Sequence, residues 1–173
     1  MNLLDWKMRS ADGLNYEVSS ADFFTWVRLS DSYGKFATSQ SDGVKVHFKR
    51  KRKFFPATAT IELDGKQIGN IKSWLVWHRI ELQGKRYSIS PKIFKGTLVL
   101  KNAEGEPLLE RRMPKLADRG VGKIESSLSA DEHQIAKLVP LLFYAPVLGQ
   151  SSAMLFLGVA SLGNVVNIFR LLW

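Results

Sequence analysis

The residues with the clearest chemical potential form one run. Lys49-Arg50-Lys51-Arg52-Lys53 is preceded by Lys45 and His47 and followed by Phe54-Phe55-Pro56. Ammonium and guanidinium groups at this density recognise anions, and each Lys or Arg near an anionic membrane surface contributes roughly 1 kcal/mol. Lys45, Lys49, Arg50, Lys51, Arg52 and Lys53 are the candidate anion-binding residues. Phe54 and Phe55 are candidate contacts with the apolar edge of such a surface. A solvated loop that only aids solubility, or a sheet edge guarded by lysines, accounts for the same run.

The charge map concentrates this signal. The net charge is +9, and 14 basic against 3 acidic residues place +11 in residues 44–101. Residues 1–43 carry 4 basic and 6 acidic groups, and residues 102–173 carry 7 of each. Such a field selects anionic partners: lipid headgroups, nucleic acid or acidic protein surfaces. An anionic phospholipid surface is the favoured partner. Nucleic acid ranks lower, because no nucleic-acid-binding motif and no basic helix suited to a major groove is present.

Other chemistries find little material. The absence of Cys excludes a thiol nucleophile, a disulfide framework and any Cys-ligated metal site. His47, His78 and His133 lack the i, i+4 pairing of helix-borne metal sites, so no metal site is assigned. Glu104/Glu106 fit a hairpin turn, and Asp131/Glu132 fit a helix start, where acidic groups meet the dipole favourably. No glycine-rich phosphate loop, G-x-S-x-G elbow or H-E-x-x-H is found, so no catalytic residue and no cofactor is assigned. Trp74, Trp77 and His78 split across two strand faces, and core packing is the preferred reading of the two rings.

The elements that position these groups are strands. Period-2 alternation runs through most of the first 127 residues. Tyr16 and Val18 oppose Glu17; Thr25, Val27 and Leu29 oppose Trp26 and Arg28; Val44, Val46 and Phe48 oppose Lys45 and His47. Asp64-Gly65 suits a two-residue type I′ turn, where both central residues need positive φ. Turn signals about every 8–12 residues, without strand–helix alternation, predict a sandwich or barrel rather than a doubly wound fold. If the Val44–Phe48 parity continued, Arg50 and Arg52 would point inward at great cost. Residues 49–53 are therefore expected in an exposed loop or bulge.

Character changes at residue 129. Ser129-Ala130-Asp131-Glu132 reads as a capping box. The following IAKLVPLLFYAPVL is apolar on nearly every side, so it must be buried in protein or lipid. Pro140 predicts a kink or restart, and Gly149-Gln150-Ser151-Ser152 predicts a break. The division expected is a main unit over 1–150 and a second apolar helix over 151–173. Ser161, Asn164, Asn167 and Arg170 recur along that tail every third residue, with Trp173 at its end. Ser161, Asn164, Asn167 and Trp173 are thus candidate contacts with a membrane or with a second copy in a homo-oligomer.

An antiparallel meander followed by one apolar helix resembles the tubby-like barrel superfamily, which includes the tubby C-terminal domain, phospholipid scramblases and LURP-one-related proteins. The segments that carry the resemblance are IELDGKQIGNI, RIELQGKRYSIS, GTLVLKNAEGEPLLERR, VGKIESSL and DEHQIAKLVPLLFYA. FATSQSDGVKVHFKR and LVPLLFY are similar to segments of small uncharacterised bacterial members. The likeness spans roughly residues 14–146, the extent of one domain. It implies a mainly β fold, a closed antiparallel barrel threaded by a hydrophobic C-terminal helix, with a further helix after it. The Cys-rich and calcium-binding segments of scramblases have no counterpart here. The expected function is a non-enzymatic module binding anionic lipid headgroups; the alternatives are nucleic-acid binding through the same region and self-association through the tail. With no leader legible at the N-terminus, a cytoplasmic protein is expected, peripheral to a membrane or anchored there by its C-terminus.

Overall fold

The computed structural model describes residues 2–10, 13–31, 35–41, 43–52, 56–74, 76–92, 96–112, 120–128 and 132–156. Lys53, Phe54, Phe55, Ser129, Ser161, Asn164, Asn167 and Trp173 lie outside them.

The alternating segments form β1 (Asn2–Met8), β2 (Asn15–Ser19), β3 (Phe24–Leu29), β4 (Phe36–Ser41), β5 (Val44–Arg52) and β6 (Ala57–Leu63). β7 (Lys66–Trp74), β8 (Trp77–Leu82), β9 (Lys85–Lys92), β10 (Thr97–Lys101), β11 (Pro107–Arg112) and β12 (Val121–Ser126) follow. Each strand pairs antiparallel with its sequence neighbours, and β1 pairs with β12, so the meander closes into a barrel. Closure leaves no sheet edge unpaired. Asp64 and Gly65 have φ values of 50° and 81°, which is the turn their sequence predicts.

Facing positions across the strands make rows that line the interior. One runs Leu109–Leu100–Ile89–His78–Ser73–Ala57, and another runs Leu4–Ile124–Arg111–Leu98. Gly69 is required by the close approach of β8: an added Cβ would lie 2.1 Å from the Glu81 carbonyl oxygen. Gly122 leaves room for the Trp6 indole, whose Nε1 would lie 2.6 Å from a Cβ there.

The apolar run fills this interior. α1 (Glu132–Leu138) ends, the chain restarts after Pro140, and α2 spans Leu141–Phe156. Every residue from Leu138 to Ala145 is buried, which is why a helix without a polar face is stable here. Each fully buried Leu or Phe contributes roughly 1.5–3 kcal/mol. The break expected at Gly149–Ser152 does not occur, and α2 runs through it to Phe156. Gly149 is buried, and a buried backbone keeps its helical hydrogen bonds because no water replaces them. Residues 157–173 of the expected further helix lie outside the described residues. Among the described residues no helix is long and apolar enough to cross a membrane.

Antiparallel order gives the barrel two unlike ends. The β2–β3, β4–β5, β6–β7, β8–β9 and β10–β11 turns share the proximal end with the close of β12. The remaining connections lie at the distal end. The Lys137 ammonium donates to Gln83 Oε1 in the proximal β8–β9 turn, at 3.5 Å. Tyr144 stacks on Phe48, centroids 4.8 Å apart, and its phenol senses Arg50 and Asp31 toward the distal end. The helix therefore enters proximally and points its C-terminal end distally.

Candidate anion-binding face

β5 does not stop at Phe48. It continues to Arg52, and of the loop or bulge expected over 49–53 the bulge is what forms in the described residues, between Arg50 and Arg52. Arg50 pairs with Ala59, which lies in the inward row Ala59–Ile71–Ile80–Tyr87. Its half-buried position at the distal mouth reconciles strand continuity with charge, because the mouth is not dry. The register then shifts between Arg50 and Arg52, so Lys51 is the extra residue. An extra residue shifts the register, and the Arg52 backbone pairs with Thr58.

The outer face gathers cations from strands far apart in sequence. Lys45, Lys49 and Lys51 are exposed on β5, as are Lys72 on β7, Arg79 on β8 and Arg86 on β9. One transverse row reads Thr58–Lys72–Arg79–Ser88–Lys101, and the next reads Lys49–Thr60–Asn70–Glu81–Arg86. Lys72 and Arg79 are directly opposite, an arrangement that like charges make unfavourable. Among the described residues the ion pairs are Arg9–Glu17 and Lys92–Glu110, so neither joins this face. A groove of about 670 Å³ runs between these side chains, lined by Asn70, Lys72, Trp74, Arg79, Glu81 and Arg86 among others.

Trp74 and Trp77 correct the sequence expectation. They pair with each other on the outer wall rather than in the core. Trp77 is 61% exposed, and the Arg79 guanidinium carbon lies 5.4 Å from the Trp74 ring centroid. Stacking keeps that guanidinium extended over the groove. Phe36, at the distal start of β4, is also exposed, with the Lys35 ammonium 5.5 Å from its centroid.

The interior holds two polar features. His78 Nδ1 and Ser73 Oγ share a hydrogen bond of 2.6 Å, and burial lowers the imidazole pKa to about 3, so it is neutral at pH 7. Arg111 is buried with its guanidinium carbon 4.0 Å from the Phe143 centroid and 4.5 Å from that of Trp6. Burial lowers its pKa to about 10, opposed by Tyr16, so it stays charged. Its Nη1 donates to the Leu142 carbonyl at 2.9 Å. That carbonyl would normally receive the amide four residues on, but residue 146 is proline and has none.

Of the residues predicted from sequence, Lys45, Lys49 and Lys51 share the outer face, Arg50 turns toward the mouth, and Arg52 is placed by its backbone alone. Lys53, Phe54, Phe55, Ser161, Asn164, Asn167 and Trp173 lie outside the described residues. Lys72, Arg79 and Arg86 were missed as a group. Their outward parity on three successive strands was the available signal. No protein-family model, curated protein or solved structure matches the chain.

Proposed function

We propose that this protein is a non-enzymatic binding module for anionic phospholipid surfaces, with Lys49, Lys51, Lys72 and Arg79, toward the distal end of the barrel, as its contact and Lys45, at the proximal start of β5, outside it. The observation that carries the reading is the opposed pair Lys72/Arg79 on a face where no described carboxylate is ion-paired to them. Such repulsion weakens the sheet, and a bound anion relieves it. The resemblance to tubby-like barrels, one branch of which includes phospholipid scramblases, supports the same reading. The protein is then peripheral to a membrane on its anionic side.

Co-sedimentation with phosphatidylcholine vesicles, with and without phosphatidylserine, tests this. Binding requires the anionic lipid. At roughly 1 kcal/mol per cation, Lys49→Ser, Lys51→Ser, Lys72→Ser and Arg79→Ser together weaken it about a thousandfold. Equal binding to both vesicle types, or unchanged binding by the quadruple variant, overturns the reading. A single-stranded oligonucleotide bound more tightly than the vesicles, with affinity falling steeply with salt, would assign the face to nucleic acid instead.

A further inference from the structure

We infer that the barrel meets an anionic bilayer end-on, distal end down, with the Trp77 and Phe36 side chains entering the interface. The inference rests on the lipid-binding reading above and adds an orientation to it. Three independent features point to the same end.

Charge is polar along the barrel axis. At the proximal end the described turns carry Asp22, Asp64, Glu104 and Glu106, and with Glu62, Glu81 and Glu125 beside them these outnumber the flanking Lys45, Lys66, Lys85, Arg86 and Lys101. At the distal end the described residues Lys7, Arg9, Arg28, Lys35, Lys51 and Lys92 stand at the strand ends and connections, against Asp31. An anionic surface therefore attracts one end and repels the other, which orients the molecule before contact.

Rings accompanied by cations follow the same axis. Trp77 and Phe36 are 61% and 42% exposed, and each begins its strand at the distal end. An exposed indole beside Lys and Arg is the composition found where protein meets headgroups. At the proximal end Phe24 and Leu3, which begin β3 and β1, are also exposed, but Phe24 follows Asp22 rather than a cation, whereas Phe36 and Trp74 carry Lys35 and Arg79 over their rings.

The helix completes the geometry. α2 continues for twelve residues beyond Tyr144, about 18 Å at 1.5 Å per residue. Phe48, which Tyr144 stacks on, is only four strand residues from the distal close of β5 at Arg52. That is about 10 Å along a tilted barrel axis, so α2 ends beyond the distal rim. The C-terminal end of α2 at Phe156 therefore lies on the side that meets the bilayer.

The chain has no Cys, so single cysteines can be labelled in the full-length protein. Trp77→Cys, Phe36→Cys, Lys45→Cys and Glu104→Cys would each carry an environment-sensitive NBD fluorophore. On phosphatidylcholine/phosphatidylserine vesicles, the labels at 77 and 36 blue-shift and brighten, while those at 45 and 104 do not. Side-on docking through β5 would shift the label at 45 instead, and shifts at 45 or 104 without 77 overturn the orientation. Trp77→Ser, at an exposed position, weakens vesicle affinity about tenfold through lost apolar burial; unchanged affinity also overturns it. Absence of binding by the unlabelled protein fails the underlying function rather than the orientation.

Discussion

Substituting Arg111 and Pro146 singly and together tests whether one carbonyl ties the helix to the barrel wall. Arg111→Met keeps length but removes the donor to the Leu142 carbonyl, which Pro146 cannot replace. A buried carbonyl left without a partner costs about 1–3 kcal/mol. Lost contacts with the Phe143 and Trp6 rings add up to about 2 kcal/mol. Against this, the cost of holding a guanidinium in a dry site is removed. A pKa lowered from 12.5 to about 10 corresponds to about 3 kcal/mol. These effects offset one another, so the single substitution is a weak test. The coupling is a strong one. Pro146→Ala restores an amide donor, which is needed only when Arg111 is gone. Urea unfolding of the four proteins should show Pro146→Ala about 1–3 kcal/mol more favourable in the Arg111→Met background than in the parent. Additivity within about 0.5 kcal/mol would refute the shared-carbonyl reasoning.

Three other outcomes follow from the same geometry. The unfolded chain protonates its imidazoles near pH 6.5 while native His78 resists until about pH 3, so stability is full above 6.5 and lost as pH falls. That loss is about 1.4 kcal/mol per pH unit, and His78→Asn should flatten the urea-midpoint profile by about one proton between the two values. Gly69→Ala forces a Cβ against the Glu81 carbonyl and should destabilise by at least about 1–3 kcal/mol, read as a lowered urea midpoint. Lys72→Glu should stabilise the barrel by roughly 0.2–1 kcal/mol against Arg79, yet reduce binding to phosphatidylserine vesicles; unchanged vesicle binding by a folded variant would count against the face.

Much of the barrel is legible because period-2 alternation is a local property. Thr25, Val27 and Leu29, and Val44, Val46 and Phe48, face inward as their spacing requires. Asp64-Gly65 and Pro140 mark a turn and a helix restart for reasons contained within a few residues. Register is not local. The parity argument places a loop or bulge over 49–53, but the exact shift, between Arg50 and Arg52, depends on how β6 pairs with β5, which no window of sequence displays. The cation row Lys72–Arg79–Lys101 is invisible for the same reason, since its members are brought together only by pairing β7, β8, β9 and β10. Trp77 misleads because an aromatic residue in a strand is usually core, and the outward parity that it shares with Trp74 outweighs its apolarity. Arg111 reads as a surface cation, and only the missing amide of Pro146 hints that a buried donor is needed.

Pairing the first strand with the last has a kinetic consequence. Leu3 meets Glu125, about 120 residues later, and the helix that fills the lumen is made after both. At 5–20 residues per second of synthesis, β1 waits about 6–24 s for its partner. Throughout that interval the nascent meander presents two raw edges and an unfilled trough, the species most exposed to intermolecular pairing. The wall can seal only around its own plug, so the final apolar segment acts as the timer of maturation, and truncation within α2 should be felt first as aggregation during synthesis rather than as a lowered melting temperature.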